Sequence, residues 1–125
     1  MLEGRLQPLN NRMVGGILQH GGTVLGTARS TEFATPEGQE LAARRLSEAG
    51  VEGPVVIGGE GSLTGALRLQ ERGVWVVGIP ATIDNDVFGT DTAIGVDTAL
   101  NTALEDVDRI KDTARAPTSE PTWSR

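Results

Sequence analysis

Cysteine is absent from the chain, which excludes disulfides and thiolate metal sites. Tyrosine is absent too, and aromatic residues make up only 3% of the 125 residues. Lys111 is the only lysine and His20 the only histidine, and the formal net charge is −6. A chain with no basic stripe and no aromatic platform is expected to bind no nucleic acid. No apolar run approaches the ~20 residues needed to cross a bilayer, and no segment has the pattern of a secretory leader. The expectation is therefore no membrane and a reducing cytoplasm. Glycine, by contrast, is abundant, at 17 residues, beside 38% hydrophobic residues. That balance fits one modest α/β domain with many tight turns.

Residues 1–12 are polar and irregular, and residues 13–29 set glycine pairs around short apolar pieces. Thr35-Pro36-Glu37 carries a helix start: a capping hydroxyl, a proline at the first helical position, then an acid. Leu41, Ala42, Leu46 and Ala49 make its apolar face, and Gly50 stops it. Val55–Ile57 and Val74–Ile79 are continuous apolar runs, the pattern of parallel strands covered on both faces. Between them a second helix is predicted, capped by Ser62, bearing Leu63, Ala66, Leu67 and Leu69, and ending at Gly73. A longer helix is predicted from about Gly95 to Ala114, with Val96, Leu100, Ala103, Leu104, Val107 and Ile110 on one face. Strand, turn, helix, strand, loop, helix is a βαβ pattern, and such folds take their ligands at the carboxyl ends of the strands. The implied fold class is α/β: a Rossmann-like, three-layer, parallel-sheet piece, incomplete at both ends.

Two segments fall at those carboxyl ends. The first is Gly58-Gly59-Glu60-Gly61-Ser62. A glycine turn lets backbone N–H groups approach phosphate oxygens, and its single carboxylate can hold Mg²⁺. The same residues also suit a plain strand-to-helix turn, with Glu60 solvated. The second segment is Pro80-Ala81-Thr82-Ile83-Asp84-Asn85-Asp86. Its paired acids can supply a base for a substrate hydroxyl, or they can form an Asx-rich surface turn. Arg29 alone reads as a surface cation, and His20 as a solvated loop residue.

Taken together, three segments resemble the 6-phosphofructokinase family. They are Gly22-Thr23-Val24-Leu25-Gly26-Thr27-Ala28-Arg29, Val56 to Ser62, and Pro80 to Asp86 with Gly89-Thr90-Asp91 and Gly95 to Ala99. The resemblance covers roughly residues 13–114. It implies transfer of a phosphoryl group from ATP, with Mg²⁺, to the 1-hydroxyl of fructose 6-phosphate in glycolysis. By resemblance Asp84 is the base and Asp86 supports it, while Thr82, Ile83 and Asp84 contact the sugar phosphate. Arg29, Ser30, Gly59, Glu60, Gly61 and Ser62 contact the nucleotide, and Glu60 is the Mg²⁺-linked acid. The family usually carries Asp at the position of Glu60. Gly61 together with Ala81 resembles the ATP-using branch and not the pyrophosphate-using one. A homotetramer is the family's usual state.

The resemblance also implies an opening strand with a Gly-Gly-Asp loop, and a second lobe, neither of which these residues contain. Residues 1–114 are therefore expected to form part of the amino-terminal lobe, and the isolated chain is expected to be inactive. The alternatives are a non-catalytic Mg-nucleotide-binding α/β piece, or an enzyme like the NAD or lipid kinases that share the Gly-Gly-acid-Gly-Ser loop. Residues 115–125 carry two prolines, a lone Trp123 and no periodicity, and read as an irregular tail. A one-base frame shift just before Pro117 would recast codons compatible with this tail as His-Glu-Arg-Thr-Tyr-Val-Val-Glu, similar to the family's continuation. A frame-shifted tail is the expectation that follows.

Overall fold

The computed structural model describes residues 2, 3 and 5–115; the irregular or frame-shifted tail expected over 115–125 lies outside them but for Arg115, which ends a helix. The described residues before Thr35 form turns and irregular backbone only. The regular elements follow in the order α1 (Pro36–Glu48), β1 (Val55–Gly58), α2 (Glu60–Gln70), β2 (Val77–Pro80) and α3 (Val96–Arg115). The two strands pair in parallel, Val55 against Val77 and Gly58 against Pro80, so β1-α2-β2 is the βαβ unit that the sequence predicts.

Helix α1 starts as its sequence dictates. The Thr35 hydroxyl accepts the Gly38 N–H at 3.1 Å and donates to the Glu32 carbonyl at 2.8 Å. Pro36 fills the first helical position, where no N–H is needed. Helices α1 and α2 end alike. Gly50 and Gly73 take φ of +70° and +82°, and the next residue donates back into the last helical turn. Those bonds run from Val51 N to the Leu46 carbonyl at 2.9 Å and from Val74 N to the Leu69 carbonyl at 3.2 Å. A left-handed residue is needed for this reversal, and glycine takes it without a Cβ penalty. It also explains why β2 begins later than the apolar run suggests: the Val74 N–H closes α2 and is not free for a ladder.

The core is small. Ala42, Leu46 and Leu69 are buried, with Phe33, Val51, Val74 and Val76 packed around them. Helix α2 packs on both strands and α1 packs against α2. The Gly78 position allows this approach, because a Cβ there would lie 2.8 Å from the Leu63 side chain. Coverage of both sheet faces, which the apolar runs predict, is not found among the described residues: Val55, Ile57 and Val77 are exposed. Among the described residues helix α3 packs against no other element, and Leu100, Leu104, Val107 and Ile110 are exposed as well. The strand residues are apolar on both faces, and one helix layer covers only one of them.

Candidate active site

The chain turns from β1 into α2 three residues earlier than a Ser62 cap would require. Gly59 occupies the N-cap in extended backbone, with φ −84° and ψ −168°, and Glu60 is already helical. Ser62 is therefore in the first turn, and it caps nothing. Its side chain lies over Gly58, where a Cβ would meet the Ser62 Oγ at 2.6 Å. The bare Gly58-Gly59 backbone makes room for this tight entry.

The contrast with α1 is chemical. Thr35 consumes a first-turn N–H of α1, whereas no side chain caps α2. The first-turn amides of α2 thus point outward from the carboxyl end of β1, at the positive end of the helix dipole. That is a ready-made anion site. Glu60 is exposed beside them, with no ion pair or side-chain hydrogen bond among the described residues. No group of three or more His, Cys, Asp or Glu side chains able to hold a metal occurs among the described residues. This donor set fits a divalent cation held jointly by one carboxylate and ligand phosphates, and does not fit an all-protein cage.

An open cavity of about 1390 Å³ borders this helix start. It brings Arg29 and Ser30 from the irregular arm to Gly61 and Ser62 of α2. Four of the six nucleotide residues expected from sequence therefore share one space, with Gly59 and Glu60 adjoining them in the chain. The arm is folded locally: the Ser30 hydroxyl accepts the Phe33 N–H at 3.1 Å. Phe33 then packs on α2, where a Cβ on Gly65 would stand 3.1 Å from its ring. Sequence reading missed Phe33, Thr64 and Gly65 as cavity-lining residues; the only signal was an aromatic three residues after Ser30. A second cavity, of about 390 Å³, lies where α1 and α2 end and carries none of the expected site residues.

The acid segment adjoins the glycine turn on the next strand. Beyond β2, the Ala81 N–H donates to the Gly58 carbonyl at 2.9 Å. The Thr82 N–H donates to the Ile94 carbonyl at 3.0 Å, and the Ile94 N–H donates to the Pro80 carbonyl at 3.1 Å. Thr82 thus sits between β1 and the entry to α3, against Gly59 on one side and Gly95 on the other. Its hydroxyl accepts the Asp84 N–H at 3.2 Å. Ile83, Asp84 and Asp86 are all exposed. Asp84 and Asp86 do not line the large cavity; they follow from Thr82 at its neighbouring strand end. Asn85, which the sequence reading passed over, binds the backbone of Asp91 and Ala93 through its side chain.

A parallel βαβ unit with an uncapped, glycine-turned helix start and an acid loop on the adjacent strand defines an α/β protein of the strand-end, ligand-binding class. The Phosphofructokinase family model matches residues 1–120, and the chain belongs to that family. It is 57% identical over 115 residues to ATP-dependent 6-phosphofructokinase 1 of Thermus thermophilus, covering 91% of this chain and 36% of that protein. It is 55% identical, with the same coverage, to the ATP-dependent 6-phosphofructokinase of Thermotoga petrophila. Among solved structures, it is similar to phosphofructokinase from Saccharomyces cerevisiae, with a TM-score of 0.73 and 39% identity over 85% of this chain and 17% of that one. It is also similar to Pichia pastoris phosphofructokinase in the T-state, with a TM-score of 0.74 and 35% identity over 90% of this chain and 13% of that one. The chain spans about a third of the length of the curated relatives it matches.

Proposed function

We propose that this chain carries the ATP-facing and sugar-phosphate-facing strand ends of an ATP-dependent 6-phosphofructokinase, whose reaction moves the terminal phosphoryl group of ATP to the 1-hydroxyl of fructose 6-phosphate. The observation that carries the reading is the pairing of the uncapped start of α2 with the Thr82–Asp86 segment on the neighbouring strand end. Phosphoryl transfer needs positioning and charge neutralisation more than covalent chemistry, and these two loops offer both.

In this reading the first-turn amides of α2 and the Arg29 guanidinium take the nucleotide phosphates, with Ser30, Gly59, Gly61 and Ser62 shaping the space around them. Glu60 is the carboxylate that would share Mg²⁺ with the phosphates. Bound there, the ion supplies charge neutralisation of the phosphate oxygens. Thr82 and Ile83 contact the sugar phosphate. Asp84 accepts the proton of the attacking hydroxyl, and Asp86 supports it. The Thr82–Asp86 segment is also what disfavours a NAD- or lipid-kinase-like reading, which shares only the glycine loop. A homotetramer and a cytoplasmic location go with this reading, and residues 1–114 would be part of the amino-terminal lobe.

The 125 residues in isolation are expected to bind Mg-ATP and to turn over far below the ~1–100 s⁻¹ of ordinary kinases, because the transferring group must be held from both sides. Calorimetry with Mg-ATP, run beside a coupled assay with ATP, Mg²⁺ and fructose 6-phosphate, tests this. Mg-ATP binding abolished by Arg29→Ala supports the reading. No Mg-ATP binding by the folded chain defeats it.

A further inference from the structure

Asn85 is the only non-glycine residue among those described with φ in the left-handed region, at 52°. Asparagine tolerates that conformation better than most residues because its short amide can bond nearby backbone. Here both ends of the amide are used. Oδ1 accepts the Ala93 N–H at 2.9 Å, and Nδ2 donates to the Asp91 carbonyl at 3.3 Å. Ala93 is buried, at 3% exposure, and the next residue, Ile94, is bonded to both Pro80 and Thr82. The amide therefore closes a ring that runs from Thr82 through Asn85, across to Ala93, and back through Ile94.

Asp84 and Asp86 flank Asn85, and neither carboxylate has a hydrogen bond or ion pair among the described residues. Nothing holds their side chains directly. Their placement is inherited from the backbone, and the backbone is pinned by the amide between them. We propose that Asn85 is a positioning residue: its amide clamp on Asp91 and Ala93 fixes the loop from which Asp84 faces the sugar hydroxyl. The inference rests on the functional reading above for the sugar, but the clamp itself can be judged without it.

The test uses the full 125-residue chain and three variants, with amide hydrogen exchange at Ala93 and fructose 6-phosphate binding read by amide shifts over Thr82–Asp86. Asn85→Ala removes both bonds. Asn85→Gly removes both bonds but keeps the left-handed backbone easy. Asn85→Asp keeps the acceptor for the Ala93 N–H. In Asn85→Ala and Asn85→Gly, Ala93 protection and fructose 6-phosphate affinity are each expected to fall about tenfold or more, as the loss of two modest hydrogen bonds implies, with Mg-ATP affinity unchanged. Asn85→Asp is expected to restore Ala93 protection and part of the sugar affinity, a rescue that general destabilisation would not produce. Unchanged protection in both Asn85→Ala and Asn85→Gly overturns the clamp. Lost protection with unchanged sugar binding overturns its positioning role. If the parent chain shows no sugar-induced shifts while Ala93 is protected in the parent and exposed in the variants, the clamp stands as loop architecture, and the sugar-site reading of this loop fails together with the positioning role.

Discussion

Gly59 lies in contact with Thr82: a Cβ added at Gly59 would stand 3.3 Å from the Thr82 Cβ and 3.4 Å from its Oγ1. The backbone at Gly59 is extended and open to any residue, so the glycine is there for closeness and not for conformation. This contact, beside the Ala81–Gly58 hydrogen bond, joins the uncapped start of α2 to the strand end that carries Thr82–Asp86. Gly59→Ala is expected to be tolerated with a small loss of stability, since Thr82 needs to yield only slightly. Gly59→Val, whose branches point into the same space, is expected to cost about 1–3 kcal/mol. Denaturant titration of both variants, with and without Thr82→Ala, checks the contact. Strict additivity of Gly59→Val and Thr82→Ala would show that the two residues do not press on each other.

A harsher steric limit sits at the start of α1. A Cβ on Gly38 would be driven into the Glu32 carbonyl oxygen, a backbone atom already engaged by the Thr35 hydroxyl. Gly38→Ala is therefore expected to destabilise by about 1–3 kcal/mol, although alanine is the better helix former. Thr35→Ala, which loses the cap but adds no bulk, is expected to cost about 1 kcal/mol. Thermal unfolding of the two variants gives the order. A Gly38→Ala chain more stable than its parent would refute the packing of the 32–38 corner.

Much of this arrangement was legible in the sequence. Thr35-Pro36 announced α1 because cap chemistry and proline geometry are local. Leu46 and Leu69 declared the core through helical spacing, and the apolar runs declared parallel strands. The exact entry to α2 was not legible: Ser62 is a good cap by type, but the Gly58-Gly59 pair lets the chain turn first, a choice made by the tight packing of Ser62 on Gly58. Nor could apolar composition tell a covered strand face from a bare one, as Val55 and Ile57 show. Within the candidate site, the residue types of Arg29, Glu60 and Asp84 suggested the chemistry proposed for them, and the fold adds that Arg29 shares a cavity with Gly61 and Ser62. The role of Asn85 depends on which backbone its amide reaches, which only the fold reveals.

The lone carboxylate at the helix start makes a prediction about metal. Glu60 is exposed and without a partner among the described residues, so its removal should leave the fold intact. Glu60→Ala is expected to raise the Mg²⁺ concentration needed for ATP binding severalfold, with metal-free ATP binding little changed. Glu60→Asp retains the charge on a shorter arm and should bind Mg-ATP at least as well. Calorimetric titrations of ATP at fixed Mg²⁺ levels separate these cases. An unchanged Mg²⁺ dependence in Glu60→Ala would return the glycine turn to a plain strand-to-helix connection.

The assignment of the base is tested where turnover can be measured, with residues 13–114 grafted onto the Thermus thermophilus relative. Asp84 is exposed, its N–H is bonded to the Thr82 hydroxyl, and its carboxylate is free of partners among the described residues. Asp84→Asn changes neither size nor backbone, and the amide cannot accept the proton of the attacking hydroxyl. A general base contributes roughly 10²–10⁴-fold, so kcat is expected to fall by that range while KM for fructose 6-phosphate changes little. Asp86→Asn, one step removed from the proton, is expected to lose less. If Asp86→Asn instead shows the larger fall in kcat and Asp84→Asn keeps near-parental turnover, the two acids exchange roles. If both variants lose only affinity for the sugar phosphate, neither is a base, and the segment serves binding alone.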